Sequence, residues 1–144
     1  MKLKMKKLRE NAVLPERKTS GSAGYDLCAC LASEFTIEPG DLVMISTGLA
    51  VELDEGYSAM IFTRSGLGIK HGIHVSNGVG VIDSDYRGEI HVGLTNSSKI
   101  PYKIMPGERI AQMIIMRVFT PEIEEMEELS ETDRGNGGFG STGK

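Results

Sequence analysis

Short rows of alternating apolar and polar residues, separated by turn formers, occupy most of the chain. This alternation is typical of strands with one buried face, and it predicts strands over 3–8, 41–46, 48–53, 57–63 and 113–119. No segment before residue 121 repeats apolar residues with the period of a helix, although 69–71 could form a single helical turn. With 18 glycines and closely spaced turns, the pattern predicts an all-β fold, either a barrel or a sandwich.

The segment 77–90, NGVGVIDSDYRGEI, combines this alternation with an unusual density of polar chemistry. Val79, Val81 and Asp83 should share one strand face, with the carboxylate at the end of an apolar row, where burial begins. Turn formers come next and alternation then resumes. The segment is therefore predicted to be a β-hairpin that carries Tyr86 in its turn.

The same segment has two other interpretations. In a purely structural one, which stays open, Asp83 pairs with Arg87 and Tyr86 covers an edge of the core, while the neighbouring serine and aspartate shape the turn. A calcium loop is excluded, because the fifth position of an EF-hand falls on Arg87 and the twelfth on Leu94.

Length and charge narrow the class of protein. A chain of 144 residues predicts a single domain, and the absence of a long apolar run or a signal peptide predicts a soluble, cytoplasmic protein without membrane contact. The net charge of -4 comes from residues 121–133, which hold seven acids and no base. The remaining body lacks a Lys/Arg cluster, which disfavours nucleic-acid binding. Cys28 and Cys30 are interpreted as reduced packing residues.

Two further patches offer candidate chemistry. Arg64, Ser65 and Gly66 combine a cation, a hydroxyl and an approachable backbone N–H, which suits an anion as well as an ordinary loop. Gln112 enters an apolar strand and needs a hydrogen-bond partner if it is buried. The spacing of the three histidines does not fit a zinc site.

The C-terminal segment 134–144 is too rich in glycine to form a core element. Its end imitates a P-loop, but the final Ser/Thr and the flanking strand and helix are missing, so that match is spurious. Glycine N–H groups, hydroxyls and Arg134 could still wrap a polyphosphate, and Phe139 could stack on a base.

Taken in order, five patches resemble the motifs of the homotrimeric dUTP diphosphatases, the dUTPases. They are SAGYDL at 22–27, RSGLG at 64–68, NGVGVIDSDYRG at 77–88, GERIAQ at 107–112 and RGNGGFGSTG at 134–143. Small departures are Thr63, where many members have Pro, and Gly68, where many have Ala.

The resemblance implies a jelly-roll-like β barrel over 1–133, assembled as a homotrimer with shared active sites, and a flexible arm, 134–144, that closes a neighbour's site. It implies Mg²⁺-dependent hydrolysis of dUTP to dUMP and pyrophosphate, with Asp83 as general base and Asp26 reaching the metal through water. The substrate-binding residues implied by the family are Arg64, Ser65, Gly66, Asn77, Gly78, Tyr86, Gln112, Arg134, Gly138, Phe139, Gly140, Ser141 and Thr142.

Two alternatives stay open beside this one. A dCTP deaminase is related in fold, but the glycine-rich tail and the IDSDYRG segment favour the dUTPase. A non-catalytic nucleotide-binding or regulatory protein on the same fold would be expected to lack the general base, whereas Asp83 is present.

Overall fold

The computed structural model describes residues 2–138, which form eleven strands and one short helix and confirm the all-β prediction. In chain order the elements are β1 (Lys4–Lys7), β2 (Tyr25–Cys28), β3 (Phe35–Ile37), β4 (Leu42–Ser46), β5 (Leu49–Glu52), β6 (Tyr57–Phe62), α1 (Ser65–His71), β7 (Ile73–Val75), β8 (Gly80–Ile82), β9 (His91–Asn96), β10 (Tyr102–Ile104) and β11 (Arg109–Arg117).

The strands pair antiparallel in four small sheets around one apolar core. Their orders are β1-β5, β3-β10, β2-β11-β6-β8 and β4-β9-β7, so backbone pairing within the described residues does not close into one continuous barrel. Side chains from nearly every strand fill the core, among them the fully buried Leu27, Ile37, Leu49, Leu94 and Met113. The buried faces follow the alternation of the sequence, since successive side chains of a strand point to opposite sides.

Strand β11 is the centre of the four-stranded sheet. It begins at Arg109, four residues before the predicted start, and a bulge between Arg109 and Ala111 shifts its register against β2. Gln112 therefore lies inside the strand, opposite Asp26 on one side and Phe62 on the other. This pairing brings together the motifs at 22–27, 64–68 and 107–112.

The predicted hairpin at 77–90 is wrong in its pairing. Strand β8 pairs with β6, whereas β9 pairs with β4 and β7, so the two halves belong to different sheets. The predicted burial is also reversed, because Val79 and Val81 are 40% and 58% exposed in the single chain. Gly80 lies against Ile61 instead, so the alternate face of β8 turns inward.

Helix α1 is longer than the predicted single turn. It spans Ser65–His71, is anchored by the buried Leu67 and ends at Gly72, whose φ of 68° is left-handed. Cys28 and Cys30 are both free and buried, as interpreted from the sequence. Within residues 2–138, no helix is long and apolar enough to cross a membrane.

Candidate active site

A cavity of about 350 Å³ gathers polar residues from three of the five sequence motifs. It lies where the segment before β2, the loop after β6 and the start of β11 meet. Its lining residues are Lys18, Ser22, Ala23, Gly24, Asp26, Arg64, Ser65, Gly66, Arg109 and Gln112. The predicted phosphate contacts Arg64, Ser65, Gly66 and Gln112 are thus brought together with Asp26.

Asp26 is held between two arginines at the centre of this cavity. Its Oδ1 accepts from Arg64 Nε at 3.0 Å, and its Oδ2 accepts from Arg109 Nη1 at 3.0 Å. A third bond, from Arg64 Nη1 to the Arg109 carbonyl oxygen at 3.0 Å, ties the two arginines to each other. Two of the three nitrogens of the Arg64 guanidinium are therefore fixed, which orients the remaining one.

Arg109 was not singled out as a site residue from the sequence. A signal for it was present, because Arg109 belongs to the GERIAQ motif. Its partner could not be foreseen, since the ion pair with Asp26 depends on the bulged register between β2 and β11.

Gln112 has the partner that its position demands. Its Nε2 donates to the Thr63 carbonyl oxygen at 3.1 Å, and its side chain lies against Gly24. A Cβ at Gly24 would stand 2.8 Å from Gln112 Oε1, closer than packed atoms tolerate. The glycine of the first motif thus makes room for the amide of the fourth.

The two departures from the family pattern contact each other. Thr63 Oγ1 accepts from the Val75 backbone N–H at 2.8 Å, and a Cβ at Gly68 would stand 3.0 Å from Thr63 Cγ2. Thr63 and Gly68 therefore pack against each other next to the start of α1.

Asp83 and Tyr86 line a second cavity, of about 280 Å³, on another part of the surface. Asp83 is exposed, and Tyr86 is 44% exposed with its hydroxyl donating to the Glu89 carbonyl oxygen at 3.0 Å. The Tyr86 ring lies directly over Gly88, where an added Cβ would overlap it. The Asp83–Arg87 pair of the purely structural interpretation does not form, and Arg87 donates instead to the carbonyl oxygens of Ser84 and Tyr86.

Glu89 anchors the end of the segment that carries Asp83 and Tyr86. Its carboxylate accepts two bonds of 3.0 Å from Arg9, one of 2.8 Å from the Gly48 N–H and another from the Ser46 hydroxyl. Burial alone would raise the pKa of Glu89, but these donors together hold that pKa below its ordinary value. A charged, fully bonded Glu89 thus fixes this segment to β4 and β5.

The two cavities are separated by the length of β6. Ile82 pairs with Ala59, so Asp83 lies beside Ser58 at the start of that strand, whereas Arg64 follows its end. Six residues of extended chain separate Ser58 from Arg64, which is about 20 Å. Within one chain, Asp83 does not reach the Arg64 cavity.

The remaining predicted contacts are exposed or lie near the end of the described residues. Asn77 and Gly78 are exposed in the turn before β8, where Gly78 has a φ of 76°. Arg134 lies in an exposed turn and donates from Nε to the Gly137 carbonyl oxygen at 2.8 Å, and Gly138 is half-buried. Outside the described residues lie Phe139, Gly140, Ser141 and Thr142.

Within residues 2–138, no group of three or more His, Cys, Asp and Glu side chains is arranged to hold a metal ion. The fold and the first cavity together define an all-β protein with a polar, arginine-lined cavity at its strand ends.

Comparison with known proteins narrows this class. The dUTPase family model matches residues 10–143. The deoxyuridine 5'-triphosphate nucleotidohydrolase of Nautilia profundicola is 53% identical over 144 residues, which is 100% of both chains. The dUTPase of Staphylococcus bacteriophage 80alpha, solved with dUpNHpp, is 33% identical, with a TM-score of 0.90 over 99% of both chains.

A third relative bears on the metal. A variant dUTPase from phage phi11 of S. aureus, described as coordinating a structural Mg(II) ion, is 28% identical with a TM-score of 0.80 and covers 89% of this chain and 98% of its own. The chain belongs to the dUTPase family, and its fold matches the jelly-roll structures of that family.

Proposed function

We propose that this protein hydrolyses dUTP to dUMP and pyrophosphate, by attack of water on the α-phosphorus. The observation that carries the proposal is the first cavity. Arg64, Ser65 and Gln112 line it, and Arg64 and Arg109 hold the Asp26 carboxylate there. Such a set binds a polyphosphate and leaves little covalent chemistry for the protein, so catalysis rests on positioning and electrostatics.

The phosphate chain is bound mainly by the residues that follow β6. Arg64 offers its remaining guanidinium nitrogen, and the exposed Ser65 offers its hydroxyl. Ser65 and Gly66 open α1, where backbone N–H groups have no acceptor within the helix. Gln112 lies beside them, held in place by its bond to Thr63.

Asp83 acts as the general base that deprotonates the attacking water. Tyr86 lies against the deoxyribose and excludes a 2'-hydroxyl, while Asn77 and Gly78 bind uracil through side-chain and backbone groups. Support for this assignment comes from Asp83 and Tyr86 lining one cavity on a segment that Glu89 anchors.

Mg²⁺ is the proposed cofactor, bound chiefly by phosphate oxygens and waters, as this ion prefers. The residues present fit this arrangement. Each Asp26 oxygen accepts one arginine bond and retains a lone pair for a metal-bound water. When bound, the ion neutralises phosphate charge, which the cations of the cavity do only in part.

The active site is shared between subunits of a homotrimer. A single dUTP molecule cannot contact Arg64 and Asp83 of one chain across about 20 Å of strand β6. A threefold ring repeats one interface between neighbours and can join the Asp83 cavity of one subunit to the Arg64 cavity of the next. In this assembly the C-terminal arm, with Arg134 and Phe139, closes a neighbour's site.

In the cell, this cytoplasmic activity limits uracil incorporation into DNA and supplies dUMP for dTMP synthesis.

The test is pyrophosphate release with Mg²⁺ from dUTP, dTTP, dCTP and UTP. We expect dUTP to be preferred by orders of magnitude, and Asp83→Asn to lower turnover by about 10²–10⁴-fold while analogue binding is retained. Comparable turnover of UTP or dTTP would refute the proposal.

A further inference from the structure

Thr63 is the residue before Arg64, and it contacts three other elements around the first cavity. Its carbonyl oxygen accepts from Gln112 Nε2 at 3.1 Å, and its hydroxyl oxygen accepts from the Val75 backbone N–H at 2.8 Å. Its methyl group, Cγ2, lies against Gly68 in α1. The half-buried Thr63 therefore connects β11, β7 and α1 at the point where β6 ends.

The bond between Thr63 and Val75 joins two sheets. Val75 lies in β7, an edge strand of the β4-β9-β7 sheet, whereas Thr63 follows β6 of the four-stranded sheet. The Ser76 N–H donates to the Gly93 carbonyl oxygen next to β7, so the N–H of Val75 points away from β9, because successive N–H groups of a strand alternate in direction. Val75 is buried, and its N–H would lose its acceptor without the Thr63 hydroxyl.

Two candidate phosphate contacts depend on where Thr63 lies. Arg64 follows it directly, and the Arg64 guanidinium bonds to Asp26 and to a backbone carbonyl oxygen of β11, both at 3.0 Å. The carbonyl group of Thr63 holds the amide of Gln112. Thr63 itself is not among the residues that line the cavity. A displacement of Thr63 would nevertheless move both contacts.

We infer that Thr63 is a positioning residue, whose hydroxyl sets the places of Arg64 and Gln112 for binding phosphate. The inference rests on the proposed function and deepens it, because it names the residue that fixes these two phosphate contacts relative to each other. Thr63 touches no phosphate and acts only through these two residues.

Removal of the hydroxyl tests this role. Thr63→Val keeps the shape of the side chain and loses the acceptor, whereas Thr63→Ser keeps the acceptor. The readouts are the Kd for inorganic pyrophosphate with Mg²⁺ by calorimetry, kcat/KM for dUTP and a thermal melt. Since a misplacement of 1 Å can cost about 10²-fold in rate, a shift of about a third of an ångström in Thr63→Val should lower kcat/KM about fivefold. The Kd for pyrophosphate should rise by a similar factor, and Thr63→Ser should stay within about twofold of the wild type.

Thr47→Val is the matched control. The Thr47 hydroxyl donates to the Ile90 carbonyl oxygen at 2.7 Å, and Thr47 is fully buried. The same substitution thus removes a comparable bond between two residues that do not line the first cavity. It should lower the melting temperature and leave the Kd for pyrophosphate unchanged. An unchanged Kd in Thr63→Val would overturn the inference, and so would an equal loss of affinity in Thr47→Val.

Gly68 offers a second test, which also applies if Thr63→Val does not fold. A Cβ at Gly68 would stand 3.0 Å from Thr63 Cγ2, so alanine there requires Thr63 to give way by a few tenths of an ångström. The methyl group cannot turn aside without breaking the bond to Val75. Gly68→Ala should therefore weaken pyrophosphate binding about threefold in the wild type and leave it unchanged in Thr63→Ser, which lacks Cγ2. Equal losses in both backgrounds would overturn the inference.

Failure of the inference can be told from failure of the proposed function, because pyrophosphate contains no uracil. A wild type that does not hydrolyse dUTP, with weakened pyrophosphate binding in Thr63→Val, would refute the activity and leave the role of Thr63 standing. A wild type that hydrolyses dUTP, with unchanged kcat/KM and Kd in Thr63→Val, would refute the role of Thr63 alone. A wild type that does not bind pyrophosphate would refute that role whatever its activity.

Discussion

Arg64 and Asp83 lie at opposite ends of strand β6, although the proposed reaction needs both at one substrate. The antiparallel pairing of β8 with β6 fixes this separation, because it places Ile82 opposite Ala59 and directs Asp83 toward the start of β6. In the proposed trimer, each residue therefore serves a site that another copy of the chain completes.

Mixing two inactive variants tests this arrangement. Asp83→Asn and Arg64→Met should each abolish most dUTP hydrolysis alone. After refolding in equal amounts, random assembly puts an intact Asp83 beside an intact Arg64 in about one site in four, so about a quarter of the wild-type rate should return. Mixed trimers, verified by native mass spectrometry, that recover no activity would contradict a shared site.

Gly24→Ala should disable the phosphate site without unfolding the protein. The new methyl group would displace Gln112, and a shift of about 1 Å in a positioning residue can cost about 10²-fold in rate. The measurement is kcat/KM for dUTP together with a thermal melt. Gly21→Ala is the matched control, because no atom lies within 4 Å of a Cβ there, and its rate should match the wild type.

Glu89→Gln should make the protein less stable at neutral pH and alter its acid response. The folded state holds the pKa of Glu89 below 4.5, so this carboxylate stabilises the fold above about pH 4.5, and that contribution is lost as the pH falls through the lowered pKa. Denaturant unfolding should show a deficit of about 2 kcal/mol at pH 7 that shrinks in acid.

The exposed pair of Lys4 and Glu52 provides the control for Glu89. Glu52→Gln should leave the free energy of unfolding almost unchanged, because both side chains of that pair are about half exposed or more. A deficit for Glu89→Gln that stays constant from pH 7 to pH 3 would argue against the charged anchor.

Tyr102 should ionise later than an ordinary tyrosine. Burial and the hydrogen bond from its hydroxyl to Glu108 raise the pKa of Tyr102 to about 12. Because the folded pKa is raised, the stabilisation is complete below pH 10 and is lost as the pH rises toward 12. Absorbance titration should show a late phenolate step that disappears in Tyr102→Phe. Four tyrosines all titrating near pH 10 in folded protein would disprove it.

The longer strands could be predicted because each carries its own local signal. Alternation bounded by turn glycines located β4, β5 and β6 to within about one residue at each end. Strands β3, β7 and β10 were missed, because three residues are too few to show a period. Helix α1 was underestimated, since Gly66 and Gly68 lower helix propensity and only the tertiary burial of Leu67 compensates.

Strand pairing and the distribution of the site could not be read from the sequence. Two alternating rows joined by turn formers predict a hairpin, yet β8 and β9 pair with strands elsewhere in the chain. The motifs predicted Asp26, Arg64 and Gln112 as site residues, and in the structure all three line one cavity. The order of residues along the chain does not give their distance in space, so neither the Asp26–Arg109 pair nor the separation of Asp83 from Arg64 was predicted.

The packing of the Tyr86 ring over Gly88 restricts the order in which these positions can change during evolution. While Tyr86 is present, any side chain at position 88 would collide with its ring. A lineage that first replaced Tyr86 by a smaller residue would be released from that restriction and could then accept alanine or serine at position 88. Once that second change had occurred, a reversion to tyrosine at position 86 would meet the new side chain, so the two steps together would act as a ratchet.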